Sequence, residues 1–162
     1  MRHLIPTITS LLLFSLTTTL FAADWPTWRR DSSRSAATTE TLPAKLHRQW
    51  TRQLLVPQPA WPEDTRLHFD ATYEPIVVGQ TMVVSSSRDD SVRAFDTQNG
   101  QERWKFFADG PIRLAPVGFD GRVYFGSDDG YFYCLHIDSG QLVWRFNAAP
   151  AGRLVIGNER LI

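Results

Sequence analysis

Cysteine is almost missing from this chain: Cys134 is the only one in 162 residues, so no internal disulfide can form. An excess of either charge is missing too. Lysine and arginine total 17, aspartate and glutamate 17, and the zero formal net charge gives no basis for a nucleic-acid surface or a polybasic membrane patch. Only four histidines occur, His3, His47, His68 and His136, and they show no zinc spacing. No glycine-rich phosphate loop, nucleophile elbow or Ser/His/Asp constellation can be traced. Beyond residue 22 no apolar run reaches the about 20 residues that a membrane span requires. These absences leave pattern, rather than a catalytic motif, as the informative feature.

That pattern is a repeat: residues 83–106 return forty positions on as residues 123–146. Laid over each other without a gap, the copies match at Val83/Val123, Ser87/Ser127, Asp89/Asp129, Gly100/Gly140, Gln101/Gln141, Trp104/Trp144 and Phe106/Phe146. Background composition would give roughly one or two such matches, so the chain is a repeat protein. Each copy runs through three apolar stretches separated by turns and ends in Trp, which is a β meander. Asp128-Asp129-Gly130 lies between two β-branched and aromatic runs, and Asp-Gly there predicts a two-residue hairpin turn with positive φ at both central residues. A fourth, innermost strand is expected at 72–78 before the first copy and at 112–118 before the second. Four short strands per forty residues make one propeller blade. Residues 131–135 are apolar on both faces, as a strand covered on both sides by neighbouring blades must be. Trp104 and Phe106 share one strand face, as do Trp144 and Phe146. Burying a Trp removes about 150–250 Å² from water, so one per blade is enough to lock neighbours together.

Residues 94–104, Ala-Phe-Asp-Thr-Gln-Asn-Gly-Gln-Glu-Arg-Trp, resemble the tryptophan-docking repeat of the pyrroloquinoline-quinone (PQQ) type β-propellers, Ala-x-Asp-x-x-x-Gly-x-x-x-Trp. On that pattern Ala94, Asp96, Gly100 and Trp104 are the docking motif of the first copy. The second keeps Gly140 and Trp144 but has Cys134 for Ala and His136 for Asp. The resemblance spans about residues 49–162 and implies an all-β fold, a partial propeller of four-stranded antiparallel blades. That family holds quinoprotein dehydrogenases and many non-catalytic propellers, among them the BamB-type outer-membrane assembly factor. A WD-type propeller is disfavoured because Lys105 and Arg145, not Asp, follow the two Trp residues.

Taken in order, residues 1–22 read as a secretory signal, with Arg2, an apolar stretch at 4–20 interrupted by Pro6 and several Ser and Thr, and a cleavage site at Leu20-Phe21-Ala22. The expected location is therefore the bacterial periplasm or the exterior. No Cys follows the apolar run, so the lipid attachment of BamB-type lipoproteins is not available. Residues 23–45 form a mature N-terminal segment and linker. Its start, Asp24-Trp25-Pro26-Thr27-Trp28-Arg29, resembles that of large secreted PQQ-repeat proteins, with Arg30 where Gly usually stands. Both Trp residues are expected to pack on the propeller, and the polar 30–41 stretch reads as linker. The propeller takes 46–162. Residues 49–54 look like the last strand of a blade without its first three, and 55–70, with Pro57, Pro59, Pro62, Trp61, Asp64, His68 and Asp70, is an insertion loop. The first blade is 71–107 and the second 111–147. A third begins at 152–162, where Arg153-Leu154 aligns with Arg113-Leu114. Two blades cannot close a ring, so further C-terminal blades of the same chain are expected.

The docking motif marks a scaffold and not a chemistry. The first functional expectation is an exported, non-catalytic binding or scaffold module that presents its blade-end loops and the 55–70 insertion to a protein or glycan partner. The second is the N-terminal part of a quinoprotein dehydrogenase acting on alcohols or sugars. The resemblance then implies PQQ with calcium, carboxylate and amide ligands, a catalytic Asp, a stacking Trp and often an adjacent cysteine pair, of which this chain lacks the pair. Asp89-Asp90 and Asp128-Asp129 offer the oxygen atoms calcium favours, but their place in hairpin turns accounts for them. His68 with Asp70 is too few ligands for a site. Cys134, at the small-residue position of the motif, is expected as a buried thiol.

Overall fold

The computed structural model describes residues 23–67 and 69–149 and the backbones of two short strands beyond them. The expected signal at 1–22, His68 and most of 150–162 lie outside the described residues. Runs rich in Val, Phe and Tyr, bounded by Gly and Asp turns, fold into two antiparallel meanders. The first sheet holds β1 (Ile76–Val78), β2 (Thr81–Ser86), β3 (Ser91–Asp96) and β4 (Glu102–Phe107) in chain order. The second holds β5 (Val117–Phe119), β6 (Arg122–Gly126), β7 (Tyr131–His136) and β8 (Leu142–Asn147). A further ladder joins β9 (Ile156–Gly157) to β10 (Arg160–Leu161), inside the stretch expected to open a third blade. The repeat persists at the level of register: Ala94 lies opposite Trp104 and Cys134 opposite Trp144, and a bulge follows each pair. This is the partial propeller that the meanders predict.

The core lies between the two sheets. Ile76, Val83, Val92, Ala94 and Trp104 from one face of the first sheet meet Val123, Phe125, Tyr133 and Leu135 of the second. Phe106 approaches Phe125 and Tyr133 edge-on, with centroids 6.0 and 5.5 Å away. The innermost strands β1 and β5 converge so closely that a Cβ on Gly118 would lie 2.6 Å from Val78 Cγ2, which is why a side chain is absent there. Across both runs the N-terminal segment: Trp25 exchanges backbone hydrogen bonds with Val77 at 2.7 and 2.9 Å, and the Gly118 N–H donates to the Pro26 carbonyl at 2.7 Å.

Several elements differ from their sequence-based expectation. Both innermost strands are short, beginning at Ile76 and Val117 rather than at 72 and 112. Pro75 and Pro116 stand immediately before them, and a proline cannot donate to a ladder. Residues 49–54 form no strand; they dock through side chains instead, as set out below. The β6–β7 connection is a four-residue loop closed by Ser127 N–H to Tyr131 O (3.0 Å), with a left-handed residue at Gly130 (φ 84°). It is therefore not a two-residue turn, and Asp90 (φ 54°) takes the same left-handed place in the first copy. Part of the expected linker is ordered: Arg34 N–H donates to Asp31 O, Ala36 N–H to Arg29 O, and Ser35 N–H to the Asp31 carboxylate. Finally, the second face of β7 is covered only in part: Cys134 there is buried, while Phe132 is left half-exposed.

Candidate functional site at the insertion

The docking motif builds the frame on which any site must sit. Trp104 is 9% exposed and lays its ring on the 137–141 turn of the second sheet. A Cβ on Gly140 would stand 2.6 Å from its Cδ2, and its Nε1–H donates to the Ile137 carbonyl at 2.7 Å. Trp50 does the same to the first sheet, with a Cβ on Gly100 falling 2.6 Å from the indole and Nε1–H donating to Thr97 O at 2.9 Å. So residues 49–54, though no strand, cover the face that a preceding blade's final strand would cover. Gln49 and Arg52 side chains add bonds to the carbonyls of Gln98 and Gly100. Asp96 folds the turn under Trp50. Its carboxylate accepts from Arg103 at 2.6 Å and from the Gln98 N–H at 2.8 Å, and these bonds hold its pKa below the ordinary value. Trp144, by contrast, rests on Phe132 and Tyr124 of its own sheet and is 39% exposed.

At the opposite end of the blades, where the β2–β3 and β6–β7 turns lie, the insertion is fastened by one arginine. Arg113 sits in the connection between the two sheets, with a side chain 6% exposed. Its Nη1 donates to Asp70 (2.7 Å) and to the Gln58 carbonyl (2.9 Å), both in the insertion, while Nε donates to Asp128 (2.6 Å) of the second sheet's turn. Asp70, with a side chain 1% exposed, also accepts from the Ala60 N–H at 2.9 Å. Asp70 Oδ1 and Arg113 Nη2 are buried without a protein partner, in a small polar cavity of about 10 Å³ also lined by Thr72, Glu74 and Ser87. That is room for one water, which bonds an acceptor and a donor equally well. Removing one member of such a pair strands a buried charge, so the loop is held by a contact that is expensive to break. Further bonds fix its start, from the Gln58 N–H to Ser87 Oγ (3.2 Å) and from Tyr73 OH to Leu55 O (2.6 Å).

What this pinned loop displays is aromatic. Trp61 is 51% exposed and Phe69 stands beside it, their rings tilted with centroids 6.1 Å apart. Ala60, Trp61, Pro62, Glu63, Asp64 and Arg66 line an open recess of about 510 Å³. Arg66 bonds Asp64 through Nε and Nη2, each at 3.2 Å, just ahead of and within a short 3₁₀ turn at Thr65–Leu67. Asp70, which with His68 was too little to make a site in the sequence, is the anchor of this loop, and Arg113 was visible in the sequence only as a repeat position. The signal that could have found the pair is an isolated acid closing a proline-rich insertion and an isolated base opening the next blade.

The turn carboxylates are committed elsewhere. Burial pushes Asp89 upward, but hydrogen bonds from Ser86, Arg93, Ser91 and Lys105 outweigh it and leave its carboxyl far below the usual range. Asp128 is taken by Arg113; Asp129 accepts from the N–H groups of Asp109 and Tyr131 and from Tyr133 OH at 2.6 Å. Burial first, and then that bond to Asp129, push the Tyr133 phenol well above its ordinary value. Among the described residues no three His, Cys, Asp or Glu side chains gather as metal ligands. Cys134 is a buried free thiol beneath Trp144.

Two four-stranded meanders locked by an indole on a glycine turn define a tryptophan-docking β-propeller. The family described as outer membrane protein assembly factor BamB matches residues 27–161, and the chain belongs to it. The crystal structure of quinohemoprotein alcohol dehydrogenase from Comamonas testosteroni superposes with a TM-score of 0.52 at 24% identity, over 82% of this chain and 21% of that one. BamB from Moraxella catarrhalis is 24% identical with a TM-score of 0.39, over 42% of this chain and 21% of that one. Over 49 residues the chain is 41% identical to the tetrathionate hydrolase of Acidithiobacillus ferrooxidans, covering 30% of this chain and 9% of that protein. The chain thus spans about a fifth or less of the length of these relatives. No helix among the described residues is long and apolar enough to cross a membrane.

Proposed function

We propose that this chain is part of an exported, non-catalytic propeller that acts as a binding or scaffold module in the periplasm or outside the cell, with the 55–70 insertion as its partner-facing surface. The observation that carries the reading is the insertion itself: a loop displaying Trp61 and Phe69 to solvent while a buried arginine clamps its base to the turn of the second sheet. Rigid loops that expose aromatic side chains are what recognition surfaces are made of, because contact area is offered without an ordering cost. Membership of the BamB family supports a role in protein assembly, and a protein or glycan partner is the class of ligand such a surface takes. The alternative, a PQQ-dependent alcohol or sugar dehydrogenase, draws on the fold shared with the Comamonas enzyme. The deciding experiment adds PQQ and calcium to the secreted protein and follows quinone absorbance and turnover of an alcohol and aldose panel with an artificial acceptor. Absence of uptake is the expected result. Stoichiometric uptake with turnover overturns the module reading.

A further inference from the structure

The recess at residues 60–66 has a chemistry specific enough to name its ligand class. One wall is the Trp61 indole, and the rim carries Glu63 together with the Asp64–Arg66 pair. Acceptor and donor groups of opposite charge therefore sit side by side beside an apolar ring face. An anion gains nothing from such a rim, because the Arg66 guanidinium and Asp64 carboxylate offset each other and Glu63 leaves one net negative charge. A ligand with one apolar face and an edge of hydroxyls matches both parts: its C–H face lies on the indole and its hydroxyls bond the rim. The size points the same way. About 510 Å³ is within the range of small-molecule sites. Six lining residues are far fewer than the about 20–30 that each side of a stable protein interface contributes. The clamp at Arg113, Asp70 and Gln58, with prolines at 57, 59 and 62, holds the platform before any ligand arrives.

We infer that the Trp61 recess is a binding site for the ring of a neutral saccharide, stacked on the indole and hydrogen-bonded by Glu63 and the Asp64–Arg66 pair. This rests on the binding-module reading and narrows its partner to a glycan at this loop. The test uses cellobiose, maltose and N,N′-diacetylchitobiose as probes and saturation-transfer NMR on the whole protein, with Trp28→Ala as the control for another exposed indole. Transfer to sugar ring protons is expected for at least one probe. Affinity should fall about tenfold or more in Trp61→Ala, fall less in Trp61→Phe, and stay unchanged in Trp28→Ala. Melting curves matching the parent establish that Trp61→Ala remains folded. No transfer from any of the three, or transfer that survives Trp61→Ala, overturns the site. A peptide that binds and is not displaced by any sugar, yet is lost in Trp61→Ala, also overturns the saccharide assignment. The quinone assay decides the parent reading on a separate readout, so the two failures are distinguishable.

Discussion

The two faces of the second sheet carry the same kinds of residue and meet different fates. Towards the first sheet, Tyr133 and Leu135 are buried under Trp104 and Phe106. On the other face Phe132, Trp144 and Phe146 follow the same spacing, yet Trp144 is 39% exposed and Phe146 63%. The difference does not arise in the strand that bears the Trp. It arises in the turn that receives it: Gly140 and the Ile137 carbonyl for Trp104, Gly100 and the Thr97 carbonyl for Trp50, and no such turn for Trp144 among the described residues. A docking tryptophan is half a motif, and the glycine of a neighbour is the other half. The separations agree with this: Trp50 and its acceptor are 47 residues apart and Trp104 and its acceptor 33, the surplus being taken up by the insertion.

The largest test of this contrast is truncation of the two indoles. Trp104→Ala should destabilise the protein by about 3–5 kcal/mol, as large-to-small changes in a packed core do. Trp144→Ala should cost about half of that or less in the 162-residue chain, because its indole is already partly in water. Urea titration measures both, and equal losses would mean that docking on Gly140 contributes nothing special. Next is the clamp across the same closed joint. Asp70→Ala should cost about 3 kcal/mol, at the low end for a broken buried pair because Asp128 stays on the Arg113 Nε. It should also open the insertion to limited proteolysis.

A smaller effect separates the receiving turn from its backbone. Gly140 (φ 69°) and Gly121 (φ 68°) are both left-handed, but only Gly140 has an indole against it. Gly121→Ala should lose about 1–2 kcal/mol for conformation alone. Gly140→Ala should lose that and roughly 1 kcal/mol more as Trp104 is displaced. Matching losses in thermal melts would remove the steric half of the motif.

The smallest effects are titrations that distinguish the two turns. Asp89 is depressed in the folded protein, so its contribution is present above the unfolded carboxylate pKa and fades as pH falls below about 4. Asp89→Asn should flatten the acid limb of the stability curve. Tyr133 is raised, so its contribution is whole below about pH 10 and fades as pH rises beyond it. Tyr133→Phe should flatten the alkaline limb instead.

Much of this was legible in the chain. The forty-residue offset gave the strands β2–β4 and β6–β8, and the docking pattern marked Trp104 as a contact between blades without naming the glycine that receives it, because a repeat that cannot bury its own face must bury it on the next copy. The 49–54 segment, expected as the last strand of a blade, forms no strand, and among the described residues no sheet lies beside it for its backbone to pair with. The innermost strands were drawn too long because Pro75 and Pro116 interrupt an otherwise apolar run. The Asp-Gly turn was drawn too short because Ser127 extends the loop through its own backbone bond.

Local chemistry therefore settled what each residue of the repeat does within its own sheet, since period, turn glycines and strand composition act over a few residues. Which Trp is buried depended on the glycine turn of a neighbouring sheet, and which aspartate is a clamp and which is a turn depended on groups 15 to 55 positions apart meeting at one arginine. Nothing in a local pattern encodes that meeting. It follows only when the two sheets pack and Arg113, caught in the joint between them, must find its carboxylates away from water.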